Sequence, residues 1–203
     1  TGQVYPLVLW WLMVLQDALL KAWAQGGGVS PFADFTLNPA SMDLRLGDTI
    51  RRPHPVWRNM SIETMQHLID INLIEAVPKW GEATKFSIEW LLPGDFVLCH
   101  SLEVINLPDD VIALLFSKSS VGRIGLEHLH AGLGDPGWHN SQWTWELKNV
   151  ALWPIKLVAG NRIMQQVLIR LVATPDKSYA QTGRYNGDIG PVPAKPEPFG
   201  VAS

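Results

Sequence analysis

From Phe86 onward the sequence points to a β fold. The segments "FSIEWLL", "FVLCHSLEVINL", "VIALLFS", "WTWELKN", "WPIKLVAGN" and "MQQVLIRLV" follow one another as short apolar runs. Turn signals such as Pro93-Gly94-Asp95 and Pro108-Asp109-Asp110 cut them apart, and no helical pattern intervenes. Strands that close together cannot be joined by crossover helices, so an all-β barrel or sandwich is expected and a parallel α/β sheet is not. Apolar residues make up 47% of the 203-residue chain, enough for one substantial core.

Upstream, "SMDLRLGD" (Ser41 to Asp48) alternates Met42, Leu44 and Leu46 with Asp43, Arg45 and Gly47, the period of a strand. Helical spacing is expected twice. The first helix spans about 12–25, with Leu15, Leu19, Leu20 and Trp23 near one face and Gly26-Gly27-Gly28 as its stop; the second spans 61–76. The chain divides into a hydrophobic extension over 1–12, a β domain over 13–175, and a polar, Gly- and Pro-rich tail over 176–203 that reads as lying outside the core.

The apolar stretch Val4 to Leu15 is too short to span a bilayer, which takes about 20 residues. It also lacks the basic start of a signal peptide. The single cysteine, Cys99, excludes an internal disulfide and fits a reducing compartment, so a cytosolic protein is expected. A net charge of −3 argues against polymeric nucleic acid, while leaving room for small anions held by a few cations.

Three stretches carry candidate chemistry. In "WTWELKN", strand alternation puts Trp143, Trp145 and Leu147 on one face and Thr144, Glu146 and Lys148 on the other. By itself that makes Glu146 a polar-face acid beside Lys148. "KSSVGRIG" (Lys118 to Gly125) gathers two cations, two hydroxyls and two glycines, a set that either wraps phosphate oxygens or forms a charged surface turn. "AGLGDPGWHN" holds a sharp Asp-Pro-Gly turn, where Gly132 and Gly134 let a ligand approach the backbone and Asp135 either meets that ligand or caps its own turn. The His128-x-His130 pair is too small a set for a metal site, and the histidines read as packing or hydrogen-bonding residues. The ten tryptophans read as core and subunit interface.

Taken in order, "KSSVGRIGL", "AGLGDPGW" and "WTWELKN" resemble the motifs of the dCTP deaminase branch of the dUTPase-like superfamily. The flanks agree: "NPASMDLRLGD", "LLPGDFVLCHSLEVINLPDDV", "LVAGNRIMQQVL" and "GRYNGDIGPVPAK" resemble that family's other segments, over about residues 15–195. The resemblance implies a distorted jelly-roll, a homotrimer with active sites at subunit interfaces, and hydrolytic deamination of dCTP to dUTP without a catalytic metal. Magnesium would ride on the triphosphate.

The resemblance also implies roles for individual residues. Glu146 would be the proton shuttle, with Ser119 and the Gly132 backbone placing the water and Arg123 supporting the site. Lys118 and Ser120 would contact the triphosphate, and Asp135 the sugar. Thr144 and Trp145 would present backbone to the base. Gly122 and Gln165 would complete the nucleotide site, under a C-terminal lid of Tyr179, Arg184, Tyr185 and Asp188.

The chain departs from the family pattern at three of these positions. Lys118 replaces an arginine, Gly132 an alanine, and Asp188 the glutamine of the lid. An ionised Asp only accepts hydrogen bonds, and it disfavours a nearby triphosphate unless a cation meets it. The same fold would also serve a dUTPase, a bifunctional enzyme releasing dUMP and pyrophosphate, a deaminase of a modified cytosine nucleotide, or a nucleotide sensor without turnover.

Overall fold

The computed structural model describes residues 13–54, 80–129 and 131–195. The expected 61–76 helix, His67, His130 and the 1–12 extension lie outside the described residues. In chain order the elements are β1 (Met13–Val14), α1 (Asp17–Trp23), β2 (Val29–Ser30), β3 (Leu37–Asn38), β4 (Ser41–Arg45), β5 (Thr49–Ile50) and β6 (Thr84–Lys85). Then follow β7 (Ile88–Leu91), β8 (Phe96–Ile105), β9 (Val111–Ser117), α2 (Ser119–Gly122), β10 (Leu126–His128) and β11 (Leu133–Gly134). The last are β12 (Ser141–Asn149), β13 (Ile155–Val158), β14 (Arg162–Arg170) and α3 (Tyr179–Thr182).

The expected β architecture is present. One sheet runs β11-β9-β14-β4-β3, with β1 added to β14, and a second runs β10-β12-β8-β2. Two short ribbons, β13-β7 and β5-β6, flank them. All the paired strands are antiparallel, as jelly-roll connections require. The core lies between the two sheets. Leu44 and Leu168 from the first meet Val97, Cys99, Trp145 and Leu147 from the second, all at most 1% exposed. The Cys99 thiol is pushed far up by burial, which fits an inert core residue.

The first helix starts later than its periodicity suggested. Met13 and Val14 pair with Arg170 and Ile169 on β14, and Leu15 N–H donates to Leu168 O at 2.9 Å. A sheet edge satisfies those backbone groups, so the helix begins at Asp17. Leu20 is fully buried, whereas Leu19 is 39% exposed. The stop is where the glycines placed it, at Gly27 with φ of 95°.

Two charge clusters lie beneath the sheets. Asp43 is 1% exposed; Lys118 Nζ lies 2.5 Å from it, Arg162 Nη1 3.2 Å, and Asn38 Nδ2 donates to it at 2.9 Å. Glu103 is met by Arg45 Nε at 2.6 Å and by the Arg45 N–H at 3.0 Å. Burial nonetheless pushes the Glu103 carboxyl above its ordinary range, against the pull of Arg45.

The C-terminal segment corrects the reading of a tail outside the core. Residues 178–195 dock on β12. Ser178 and Pro191 are buried, and Tyr179 and Tyr185 pack against the core. The reason is backbone satisfaction: Gln142 and Thr144 supply side-chain acceptors for a segment that has no strand partner of its own.

Candidate active site

β12 is the wall on which the site is built. It pairs with β8 from Ser141–Ile105 to Lys148–Phe96, and β8 bulges at Ser101–Glu103 opposite Trp143. Alternation then turns Gln142, Thr144 and Glu146 to one side, where they line a cavity of about 530 Å³. Glu146 is therefore not a solvent-facing acid; its side chain is 29% exposed.

Facing it are Leu98 and Phe96 from β8, Leu115 from β9, Leu133 from β11, and Asp135 and Trp138 from the DPGW turn. Tyr179, Tyr185, Asp188 and Val192 close the cavity from the C-terminal segment. Gly137 makes the DPGW turn possible. Its φ is 85°, and a Cβ there would strike Ser178 and lie 2.7 Å from Asp109 Oδ1.

Three aromatic rings form a stack at the cavity wall. Trp138 and Trp143 lie 4.3 Å apart by ring centroid, and Tyr179 lies 5.5 Å from Trp138. Trp143 Nε1 donates to Gln166 Oε1 at 3.3 Å, while Trp138 Nε1 is buried without a hydrogen-bond partner. At the other end Trp80 meets Phe96 edge-on at 5.4 Å. The reading of the tryptophans as core holds for Trp138, Trp143 and Trp145, all buried, and Trp138 and Trp143 also line the cavity together with Trp80.

The residue that sequence reasoning missed is His128. It ends β10, is 4% exposed, and its Nε2 lies 3.2 Å from Glu146 Oε2. The contact is close but poorly directed, so neither atom makes a hydrogen bond. The spacing of histidines along the chain carried no sign of this, because β10 reaches Glu146 only through its pairing with β12.

The sequence candidates fall into two groups. Glu146, Thr144, Asp135, Tyr179, Tyr185 and Asp188 line the cavity. Lys118, Ser119, Ser120, Gly122, Arg123, Gln165 and Arg184 do not. Ser119, Ser120 and Arg123 are exposed on and just after α2, and Lys118 is tied to Asp43. Gln165 sits in β14 between Asp43 and Phe116 in register.

Gly132 and Gly134 approach the protein's own atoms. A Cβ on Gly132 would lie 2.7 Å from Leu115 O, and one on Gly134 would strike the Trp143 ring. Trp145 points into the core, so only its backbone is available to a ligand. Among the described residues no three His, Cys, Asp or Glu side chains converge on a metal-sized site.

Comparison with known proteins decides the family. The sequence profile described as dCTP deaminase-like matches residues 14–171. This chain belongs to the dCTP deaminase-like family. A "dCTP deaminase, dUMP-forming" of Rhodococcus jostii is 40% identical over 190 residues, covering 90% of this chain and 96% of the relative. A protein of the same name from Mycolicibacterium gilvum is also 40% identical, over 90% of this chain and 95% of its own. The solved 2'-deoxycytidine 5'-triphosphate deaminase from Agrobacterium tumefaciens superposes with a TM-score of 0.60 at 20% identity, covering 78% of this chain and 48% of that one. At that identity it shows a shared fold. Within this dCTP deaminase-like chain, no helix of the described residues is long and apolar enough to cross a membrane.

Proposed function

We propose that this chain deaminates dCTP by hydrolysis, with Glu146 as the proton shuttle, and carries the nucleotide on to dUMP and pyrophosphate. The observation that carries the reading is the Glu146 carboxylate, set in an aromatic-walled cavity beside a buried histidine. A carboxylate at that place can take a proton from water and return it to the base. Water gives a proton to Glu146 and adds to C4 of the cytosine. Glu146 returns that proton to N3 and then carries the proton of the C4 hydroxyl to the departing amine, so that dCTP and water become dUTP and ammonia. A second water then attacks the α-phosphorus, giving dUMP and pyrophosphate, with Asp135 at the cavity rim as the candidate base.

The second step replaces dUTP as the expected end product. Its support is the pair of 40%-identical relatives whose names state dUMP as the product and whose lengths this chain matches almost completely.

The exposed turn from Lys118 to Arg123 is assigned to the neighbouring subunit's site in a homotrimer. Its hydroxyls and guanidinium are exposed and do not line this chain's own cavity, which supports a site completed across an interface. There Ser119 and Arg123 would assist Glu146, while Ser120, Gly122 and Gln165 would border the triphosphate. Lys118, already sharing its charge with Asp43, would contribute less than a free cation. Magnesium enters on the phosphate oxygens of the substrate and neutralises part of their charge. The buried lone thiol fits a cytosolic location.

The test is incubation with dCTP and Mg²⁺, with products resolved by chromatography. Ammonia with dUMP and pyrophosphate supports the reading. Accumulating dUTP removes the second step, and unchanged dCTP removes both.

A further inference from the structure

The C-terminal segment carries a feature that the resemblance does not supply. Its Asp188 is a carboxylate lining the cavity that is proposed to take a triphosphate. Alone it would repel that ligand. It is not alone. Lys195 Nζ lies 2.6 Å from Asp188 Oδ2, with side chains 37% and 22% exposed, respectively.

The same ammonium donates to Arg184 O at 2.6 Å and stands 5.2 Å from the centroid of the Tyr185 ring. The Lys195 N–H donates to Tyr185 Oη at 3.1 Å, and Arg184 Nη1 donates back to Lys195 O at 3.3 Å. Residues 184–195 are thereby closed into a clip around Tyr185, with the Arg184 guanidinium also over the ring at 5.7 Å.

The clip is pinned to β12. Gln142 N–H donates to Asp188 O at 2.9 Å, Gly190 N–H to Gln142 Oε1 at 2.7 Å, and Val192 N–H to Thr144 Oγ1 at 3.1 Å. Arg51 Nε holds Pro191 O at 2.8 Å.

We propose that Lys195 is a positioning and specificity residue of the nucleotide site. It neutralises Asp188 and holds the segment closed, so that this wall of the cavity presents no uncompensated carboxylate to a nucleoside polyphosphate. The proposal rests on the nucleotide reading of the site. The charge balance is simple. Asp188 and Lys195 together carry no net charge; without Lys195 an uncompensated carboxylate stands in the cavity.

Full-length wild type, Lys195→Met, Lys195→Arg, Asp188→Asn and the double variant Asp188→Asn/Lys195→Met would be compared for dCTP turnover. In parallel, the Kd of the α,β-imido analogue of dUTP, which has neither the C4 amine nor a cleavable α–β bridge, would be measured by calorimetry. Lys195→Met should raise KM and Kd about tenfold while kcat changes by less than about threefold. Lys195→Arg should stay near wild type. The double variant should recover most of the loss, because neutralising Asp188 removes the need for the cation.

An unchanged KM and Kd in Lys195→Met, or a double variant as weak as the single one, overturns the proposal. If wild type binds the analogue but turns over no dCTP, the deaminase reading falls, and the Kd series still decides the clip. If wild type does not bind the analogue, both fall.

Discussion

The wall made by β12 and the turn made by Lys118 to Arg123 are built in opposite ways. On β12, Gln142 and Thr144 are already engaged by the C-terminal segment, and Glu146 stands at 29% exposure against His128. On the turn, Ser119, Ser120 and Arg123 are exposed, and only Lys118 is held, by Asp43. One region is preorganised around a cavity; the other displays binding groups to the outside. The proposed interfacial site accounts for groups held away from their own cavity, since each chain would then supply half of two sites. On that proposal, the difference teaches that a single chain would carry the acid–base half of the chemistry in finished form and would leave the charged half for a neighbour.

The largest effect should come from the finished half. Glu146→Gln keeps shape and removes the proton acceptor. Ammonia release from dCTP should fall by about a thousandfold or more, while calorimetric binding of the imido analogue survives. Ammonia release at the wild-type rate would remove Glu146 from the mechanism.

Mixing the two halves sharpens the comparison further. Arg123→Ala should lose about a hundredfold, and so be inactive for practical purposes. Unfolded and refolded together in equal amounts, Glu146→Gln and Arg123→Ala chains should regain roughly a quarter of wild-type activity, because about one interface in four joins two intact halves. No recovery would mean that both halves serve the same chain's cavity.

His128 should matter less, since it acts through Glu146. His128→Ala should lower kcat about tenfold with little change in KM, and His128→Asn should lose less than His128→Ala. Equal losses in both variants, or a loss confined to KM, would make His128 a packing residue only.

The smallest expected effect is on stability. His100 pairs opposite Thr144 and is 4% exposed; its ring nitrogen Nδ1 lies 2.8 Å from Ser101 O. Burial pushes its pKa below the ordinary 6.5, outweighing the Ser101 carbonyl and the opposite pull of Asp48. The unfolded chain then takes up a proton before the folded one does. The contribution of His100 to stability is complete above about pH 6.5 and is lost as pH falls toward the folded value. The thermal midpoint should drop less between pH 7.5 and 5.5 in His100→Phe than in wild type. Equal drops would show that His100 does not set the acid limb.

Much of the fold was legible from local pattern. The alternation in 143–148 matches the burial of β12 residue by residue, and "VIALLFS" and "FVLCHSLEVINL" became β9 and β8. The DPG turn and the glycine stop after α1 were also in place, because positive φ is a property of one residue. The start of α1 was not legible, since β14 competes for the backbone of 13–15. Nor was the docking of 178–195 on β12, since its partners there are side chains 46 to 48 positions away.

The sequence by itself determined the antiparallel β character, the polar face that carries Glu146, and the ordered motifs that mark the family. Period, turn chemistry and motif order are local quantities, and they survive without knowledge of what lies opposite. Tertiary structure alone decided that Glu146 faces a cavity, that His128 stands 3.2 Å from it, and that Lys195 neutralises Asp188. Each of these is a meeting of groups brought together by strand pairing or by a returning segment. Charge and burial depend on that meeting, because electrostatic energy follows distance in space and not distance along the chain.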